Sequence, residues 1–189
     1  MATTVTRDCQ GIQVPEAGTY ALDKGHTTIE FVGRHLMITK VRGRFTDFDG
    51  QIVIGDTPGE SSVGVTINTA SVDSSDEKRD GHLRSPDFLD VASYPKITFR
   101  STKVDIGRDG TAKVTGALTV KDVTRPVTLD VEFDGAQADP WGGQRLGFSA
   151  HAEINREDWG LTWNVALETG GVLVGKKIRL EFNAEAVKQ

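Results

Sequence analysis

The chain of 189 residues is long enough to bury a sizeable core and is predicted to form one domain. Its 22 Lys and Arg face 27 Asp and Glu, a net charge of −5 that argues against a nucleic-acid partner. No stretch approaches the roughly 18 apolar residues that span a bilayer, and because Cys9 is the only cysteine no internal disulfide can form.

The N-terminal residues 1–17 lack apolar periodicity and carry Gly11 and Pro15, so we predict a flexible arm there. They also lack the charged start and the apolar run of a secretion signal. Together with the single cysteine, this predicts a cytoplasmic protein. The folded domain is predicted to cover residues 18–189.

From residue 18 onward, apolar and polar residues alternate in short runs, which is the pattern of half-buried antiparallel strands. The predicted strands lie at residues 20–31 with a bend at Gly25, 42–54, 63–67, 97–106, 114–120, 127–133, 146–154 and 178–184. Eight strands with turn-sized connections predict an all-β meander. Each strand has one apolar face, so the sheet must close on itself or pack on a second sheet, and the alternation alone leaves both solutions open.

Helices are predicted to be few and short. Leu36 and Met37 are poorly spaced for a strand, so we predict one helical turn at residues 34–40. Another short helical turn is expected at residues 155–160, before an irregular loop that contains Trp163.

The most unusual stretch is residues 78–90, where charged residues surround a histidine and a proline. A helix there should end near Ser85, because Pro86 cannot continue it. A second turn should then carry Phe88 and Leu89, two large apolar residues that need apolar surface to cover. We therefore predict a lid.

This stretch also carries a family resemblance. The run R-D-G-H-L-R-S-P-D-F-L-D at residues 79–90, followed by Y-P-K-I-T-F-R-S, resembles the signature of the YceI-like family. Further matching blocks are D-K-G-H-T at 23–27, G-R-H-L at 33–36, V-R-G-R-F at 41–45, G-A-L-T-V at 116–120, V-T-R-P-V at 123–127 and N-R-E-D-W-G at 155–160. The blocks follow one another in the family's order over about residues 18 to 187.

The resemblance implies an eight-stranded antiparallel up-and-down barrel, lipocalin-like, with short helices that cap or cover an end. It also implies a partner, a long isoprenoid or fatty-chain lipid, and a homodimer. Any single phenylalanine can simply fill the core; as a set, the inward residues predict an apolar channel. The predicted ligand-binding residues are Phe31, Arg34, Phe45, Arg79, His82, Phe88, Leu89, Phe99, Leu118, Leu129, Phe133, Phe148, Trp163 and Phe182.

Within that set, Phe88 and Leu89 are expected to close the entrance, and Arg34, Arg79 or His82 to meet the polar end of the lipid. No catalytic residue, metal or cofactor is predicted, because the histidines lack zinc-like spacing and no G-x-S-x-G motif occurs. A brief contact with a membrane is expected, without an integral segment. Two alternatives stay open: a metal-dependent enzyme using His82 with Asp80, and a stress-linked interaction module with a filled core.

Overall fold

The computed structural model describes residues 5–189, which fold mostly into β-strands. The strands are β1 (Thr6–Cys9), β2 (Ile12–Pro15), β3 (Gly18–Leu22), β4 (Thr28–His35), β5 (Thr39–Phe45), β6 (Phe48–Ile54), β7 (Ser62–Asn68), β8 (Val72–Asp73), β9 (Lys96–Ile106), β10 (Thr111–Val120), β11 (Val123–Ala138), β12 (Gln144–Asn155) and β13 (Lys177–Lys188). The helices are α1 (Glu77–Arg84) and the 3-10 turns Pro58–Glu60, Thr69–Ser71 and Arg156–Trp159. Within the described residues, no helix combines the length and the apolar character needed to cross a bilayer.

The sheet closes into an eight-stranded antiparallel barrel, as predicted. Two of its eight strands are interrupted: β3 and β4 form one, and β5 and β6 form the next. The order then continues through β7, β9, β10, β11, β12 and β13. Both β3 and β4 pair with β13, which closes the barrel. Closure leaves the barrel without the unpaired edges of an open sheet.

The interruption between β3 and β4 lies at the predicted bend. The Asp23 carboxylate accepts a hydrogen bond from the Gly25 N–H at 2.9 Å, which forms a local turn. Thr27 then reattaches the chain to β13, because its hydroxyl donates to the carbonyl of Glu185 and accepts from the N–H of the same residue, both at 3.1 Å. The bend at Gly25 is confirmed, and the hydroxyl of the buried Thr27 is paired.

The connections divide between two ends of the barrel, which we name by their contents. The hairpin end carries the β1–β2 hairpin and the connections at residues 55–61, 107–110 and 139–143. The helix end carries α1, the β4–β5 turn and the loop at residues 156–176.

The helix end is filled by a packed core. Leu89, from the turn after α1, and Trp159 pack with Val120, Val127 and other residues of the barrel in one buried cluster. The indole N–H of Trp159 donates to the carbonyl of Leu118 at 3.0 Å, so the single polar atom of this side chain is also paired. This end of the barrel is therefore closed by side chains.

The helical turn that we predicted at residues 34–40 is wrong. β4 runs on to His35, and the N–H of Ile38 donates to the carbonyl of His35 at 3.0 Å across a hairpin turn into β5. Leu36 and Met37, in the centre of this turn, have φ angles of 53° and 59°. Both central residues of a type I′ turn need positive φ, a conformation for which glycine and asparagine are the usual signals. The apolar pair gives no such signal.

The N-terminal segment, predicted as a flexible arm, contains the β1–β2 hairpin in residues 6–15. Val14 is buried to 4% exposure, and Arg7 donates to the backbone carbonyls of Gly55 and Asp56. Residues 1–4 of the predicted arm lie outside the described residues. The domain boundary at residue 18 stays a prediction.

Candidate functional site

The barrel encloses an apolar cavity of about 220 Å³. Every one of the eight barrel strands contributes to its wall, and the β1–β2 hairpin adds residues 12–15. The wall is mainly aliphatic and aromatic because the strands turn alternate residues inward. An apolar cavity of roughly 150 Å³ stays dry and accepts a small hydrocarbon, so this larger space is suited to apolar ligands.

Six of the predicted ligand-binding residues lie in the cavity wall: Phe99, Leu118, Leu129, Phe133, Phe148 and Phe182. The alternation of apolar residues was sufficient to find them. It could also have found Val104, Ala150 and Ala184, which stand at inward positions of the same strands and line the cavity as well. The hairpin residues carry no comparable signal and were missed.

The cavity reaches the surface at the hairpin end. Its wall there includes residues 55, 58, 61 and 110, which belong to the connections between strands, as well as the β1–β2 hairpin. Towards the helix end the wall includes residues that are 8% exposed or less, among them Ile67 and Ile97. A ligand would therefore enter past the hairpin.

Three other predicted residues, His82, Phe88 and Trp163, meet at the helix end, outside the cavity wall. The ring centre of His82 lies 5.0 Å from that of Phe88 and 4.5 Å from that of Trp163, both edge to face. The guanidinium of Arg156 lies 5.9 Å from the centre of the Phe88 ring. This cluster joins the turn after α1 to the loop 156–176 and acts as a plug, because it helps to close the helix end of the barrel.

Arg156, which is 4% exposed, holds this loop in place. It donates to the backbone carbonyls of Gly175 at 3.0 Å and Leu161 at 2.6 Å. Burial lowers its pKa from the usual arginine range. Arg156 is not one of the predicted ligand-binding residues, and its contacts are structural.

The polar residues predicted around the lid also bind the protein itself. Arg79 donates to the hydroxyl and the carbonyl of Ser74, at 2.7 and 2.8 Å. The buried carboxylate of Asp80 accepts from the N–H of Ser74 at 2.8 Å. His82 Nε2 lies 2.8 Å from a carboxylate oxygen of Asp87. Asp80 and His82, the pair of the metal alternative, are therefore engaged with different partners.

The remaining predicted residues are placed in the core or on the surface. The rings of Phe31 and Phe45 are tilted by 48° with their centres 5.6 Å apart, and they pack against the core cluster of the helix end, which also contains Leu89. Arg34 is exposed near the end of β4. None of these four residues belongs to the cavity wall.

One cluster in residues 5–189 has the donor atoms for a metal ion: Asp23, His26 and Glu185. Arg145 lies between the two carboxylates, with its Nη1 2.8 Å from Asp23 and 2.6 Å from Glu185. The guanidinium already supplies the positive charge, so the cluster fits an ion-pair network better than a metal site. The hydrogen bond from Arg145, aided by His26, lowers the pKa of Asp23 to about 2.

Comparison with known proteins agrees with this architecture. A UPF0312 protein of Staphylococcus aureus is 40% identical to this chain, and the match covers 88% of this chain and 95% of the relative. The crystal structure of the Campylobacter jejuni YCEI protein has 30% identity and a TM-score of 0.72, and the match covers 82% of this chain and 90% of that one. A structure from Saccharophagus degradans, described as a polyisoprenoid binding domain, shares the fold with 16% identity and a TM-score of 0.65, over 92% of this chain and all of its own.

A closed eight-stranded barrel with an apolar interior defines a lipocalin-like binding fold. The model of the YceI-like domain matches residues 20–186. The chain belongs to the YceI-like family.

Proposed function

We propose that this protein binds one long lipid chain, isoprenoid-like or fatty, inside the barrel and sequesters or transports it without catalysing a reaction. The observation that carries the proposal is the apolar cavity, walled by all eight strands and open at the hairpin end. The Saccharophagus degradans domain of the same fold, described as polyisoprenoid binding, supports the ligand class.

Size and energy define how such a ligand would bind. Pockets for drug-sized molecules measure about 300–1,000 Å³, so a long chain must enlarge the 220 Å³ cavity on entry. The β1–β2 hairpin is the wall element that can yield, because it forms a sheet of its own, separate from the barrel. At roughly 0.3 kcal/mol per atom, about forty atoms would contribute roughly 12 kcal/mol, close to nanomolar affinity.

Titration with straight-chain alcohols of increasing length tests the proposal. Each added CH₂ buries apolar area worth at most roughly 0.8 kcal/mol, so the dissociation constant should fall with each carbon until the channel is full and then level off. The absence of binding at every length would sink the proposal. Affinity independent of chain length would also contradict it, because the tail would then lie outside the barrel.

The metal-dependent enzyme alternative has less support. Of its two candidate residues, Asp80 is bound to Ser74 and His82 is bound to Asp87. The cavity argues against the other alternative, a stress-linked interaction module with a filled core. Binding is therefore the function that this geometry favours.

Contact with a membrane is also part of the proposal, through the β4–β5 turn. Met37 and Ile38 are 52% and 75% exposed, and Leu36 is 37% exposed. Exposed basic residues, Arg34 and Lys40, flank them and would meet anionic lipid headgroups. Cytoplasmic location and a homodimer stay predictions.

A further inference from the structure

The β1–β2 hairpin brings a positive charge to the mouth of the cavity. Arg7 belongs to the cavity wall, together with Gln13 and residues 55, 58 and 61 from the connection that follows β6. The hairpin lies before residue 20, where the match to the family model begins. Arg7 is thus a feature of this chain outside the matched domain.

The guanidinium of Arg7 is only partly satisfied. Its two Nη atoms donate to the carbonyls of Asp56 at 2.8 Å and Gly55 at 2.5 Å. Its Nε is buried and has no hydrogen-bond partner; the only other buried side-chain atom in that condition among residues 5–189 is Oε1 of Gln144. A buried N–H of a charged group without an acceptor is costly, so native structures normally supply one.

Arg7 also has no ion-pair partner among the residues that the structure describes. Among the ion pairs of residues 5–189, none includes Arg7. Glu16, the acidic residue after the hairpin, is already bound to Lys188 and Gln144. The other wall residues carry no charge. A positive charge therefore stands at the end of an apolar cavity, and no carboxylate of residues 5–189 pairs with it.

We propose that Arg7 binds the anionic headgroup, a carboxylate or a phosphate, of a single-chain lipid whose tail fills the barrel. This inference rests on the proposed function and adds the chemistry of the headgroup. Guanidinium groups recognise both anions through parallel N–H donors. The tail would extend from Arg7 past Val104 towards Phe99 and Leu118, a directly paired couple of wall residues nearer the closed end of the cavity.

Three ligands with one tail test the inference: palmitate, hexadecyl phosphate and hexadecanol, titrated at a pH where the acids are ionised. The variants are Arg7→Gln and, as a matched control, Arg108→Gln, which removes the same charge from an exposed position at the same end of the barrel. The wild type should bind the two anions at least about tenfold more tightly than the alcohol, as a charge-assisted hydrogen bond implies. Arg7→Gln should bring the ratio of anion affinity to alcohol affinity close to one, and Arg108→Gln should leave this ratio unchanged.

The ratio within one variant separates headgroup recognition from loosening of the hairpin, because a loosened hairpin weakens all three ligands alike. Arg7→Lys keeps the charge, so its ratio should exceed that of Arg7→Gln; equal ratios would contradict the proposal. If Arg7→Gln and Arg108→Gln changed the ratio of anion affinity to alcohol affinity equally, the proposal would also be contradicted. Circular dichroism of each variant checks that the barrel is folded.

Two further outcomes distinguish the possible failures. Inorganic phosphate that bound as tightly as hexadecyl phosphate would show an anion site unrelated to lipid and would overturn the inference. Failure of all three ligands to bind would overturn the proposed function itself. Tight binding of hexadecanol with no preference for the anions would refute the headgroup site alone.

Discussion

The ring of Phe99 lies over Gly116 of the neighbouring strand, in the space that a side chain at residue 116 would occupy. A Cβ added to Gly116 would overlap the ring, with Cε2 only 2.7 Å away. The ring thus packs against the barrel wall, where it lines the cavity without filling its axis. Phe31 and Gly43, directly paired on β4 and β5, repeat the arrangement closer to the helix end.

Gly116→Ala should therefore damage both stability and binding. The new methyl group would also lie 2.6 Å from the carbonyl oxygen of Arg100, so the strand must shift. We expect a loss of about 1–3 kcal/mol in the free energy of unfolding, typical of overpacking. Lipid affinity should fall because the Phe99 ring is pushed towards the axis. Urea unfolding and ligand titration measure the two effects.

Gly147→Ala is the control for this experiment. A Cβ at residue 147 would meet its nearest neighbour, the Cβ of Asp134, at an ordinary 3.5 Å. Its stability and affinity should stay close to those of the wild type. If Gly116→Ala behaved like Gly147→Ala, the close packing of Phe99 on Gly116 would be wrong.

Phe88→Ala and Phe99→Ala should have opposite profiles. Phe88 is 7% exposed and packs on His82 and Trp163 outside the cavity wall, so its truncation should cost about 3 kcal/mol of stability with little change in lipid affinity. Phe99 borders the cavity, so its truncation should change affinity more than stability. Urea unfolding and titration of both variants decide the matter. A larger loss of affinity in Phe88→Ala would restore the predicted lid at the entrance.

Asp23 should stabilise the folded protein at neutral pH, and protonation should remove this contribution in acid. Its contacts with Arg145 and then His26 hold its folded pKa at about 2, below its ordinary value near 4. A carboxyl with a depressed folded pKa contributes stability that is complete above its unfolded pKa and is lost as the pH falls through the folded pKa. The contribution should therefore fade between about pH 4 and pH 2.

Comparing the wild type with Asp23→Asn measures this contribution. The free energy of unfolding of the two proteins should differ by on the order of 1 kcal/mol at neutral pH, after allowance for solvent screening. The difference should shrink as the pH approaches 2. Parallel stability curves for the two proteins across this range would show that Asp23 plays no such part.

The β4–β5 turn should govern binding to vesicles. Ile38→Ser removes the most exposed apolar side chain of the turn, and we expect roughly tenfold weaker partitioning onto anionic vesicles. Vesicle sedimentation provides the measurement. Val165→Ser, at another exposed apolar position of the helix end, is the comparison. Equal partitioning of Ile38→Ser and the wild type would argue against a membrane contact at this turn.

The strands could be predicted from the sequence because the period of two survives in all eight of them. Their closure into a barrel followed from the family resemblance, since the alternation alone also allowed two packed sheets. The β4–β5 turn could not, because Leu36 and Met37 adopt left-handed backbone conformations that these residue types seldom take. Tertiary contact supplies the reason: the N–H of Leu36 donates to the carbonyl of Leu173 at 2.8 Å, which fixes the turn from outside. No local pattern encodes such a contact.

The position of the cavity mouth was equally hidden. A lid and a plug both bury Phe88 and Leu89, so the apolar character of these residues cannot tell one from the other. The distinction depends on which end is filled, and Trp159 together with Leu89 fills the helix end. The hairpin at the other end has strands of only four residues, too short for alternation to be recognised.

The most direct test of a lipid-binding channel is native mass spectrometry of the purified protein and of Ala150→Phe. Ala150 lines the cavity, so a phenyl ring there should occupy the space of the lipid tail. His151→Phe places the same ring on the exposed neighbour in β12 and serves as the control. We predict that the wild type and His151→Phe carry a bound single-chain lipid and that Ala150→Phe does not. Equal lipid occupancy in all three proteins, or none in any of them, would contradict the account.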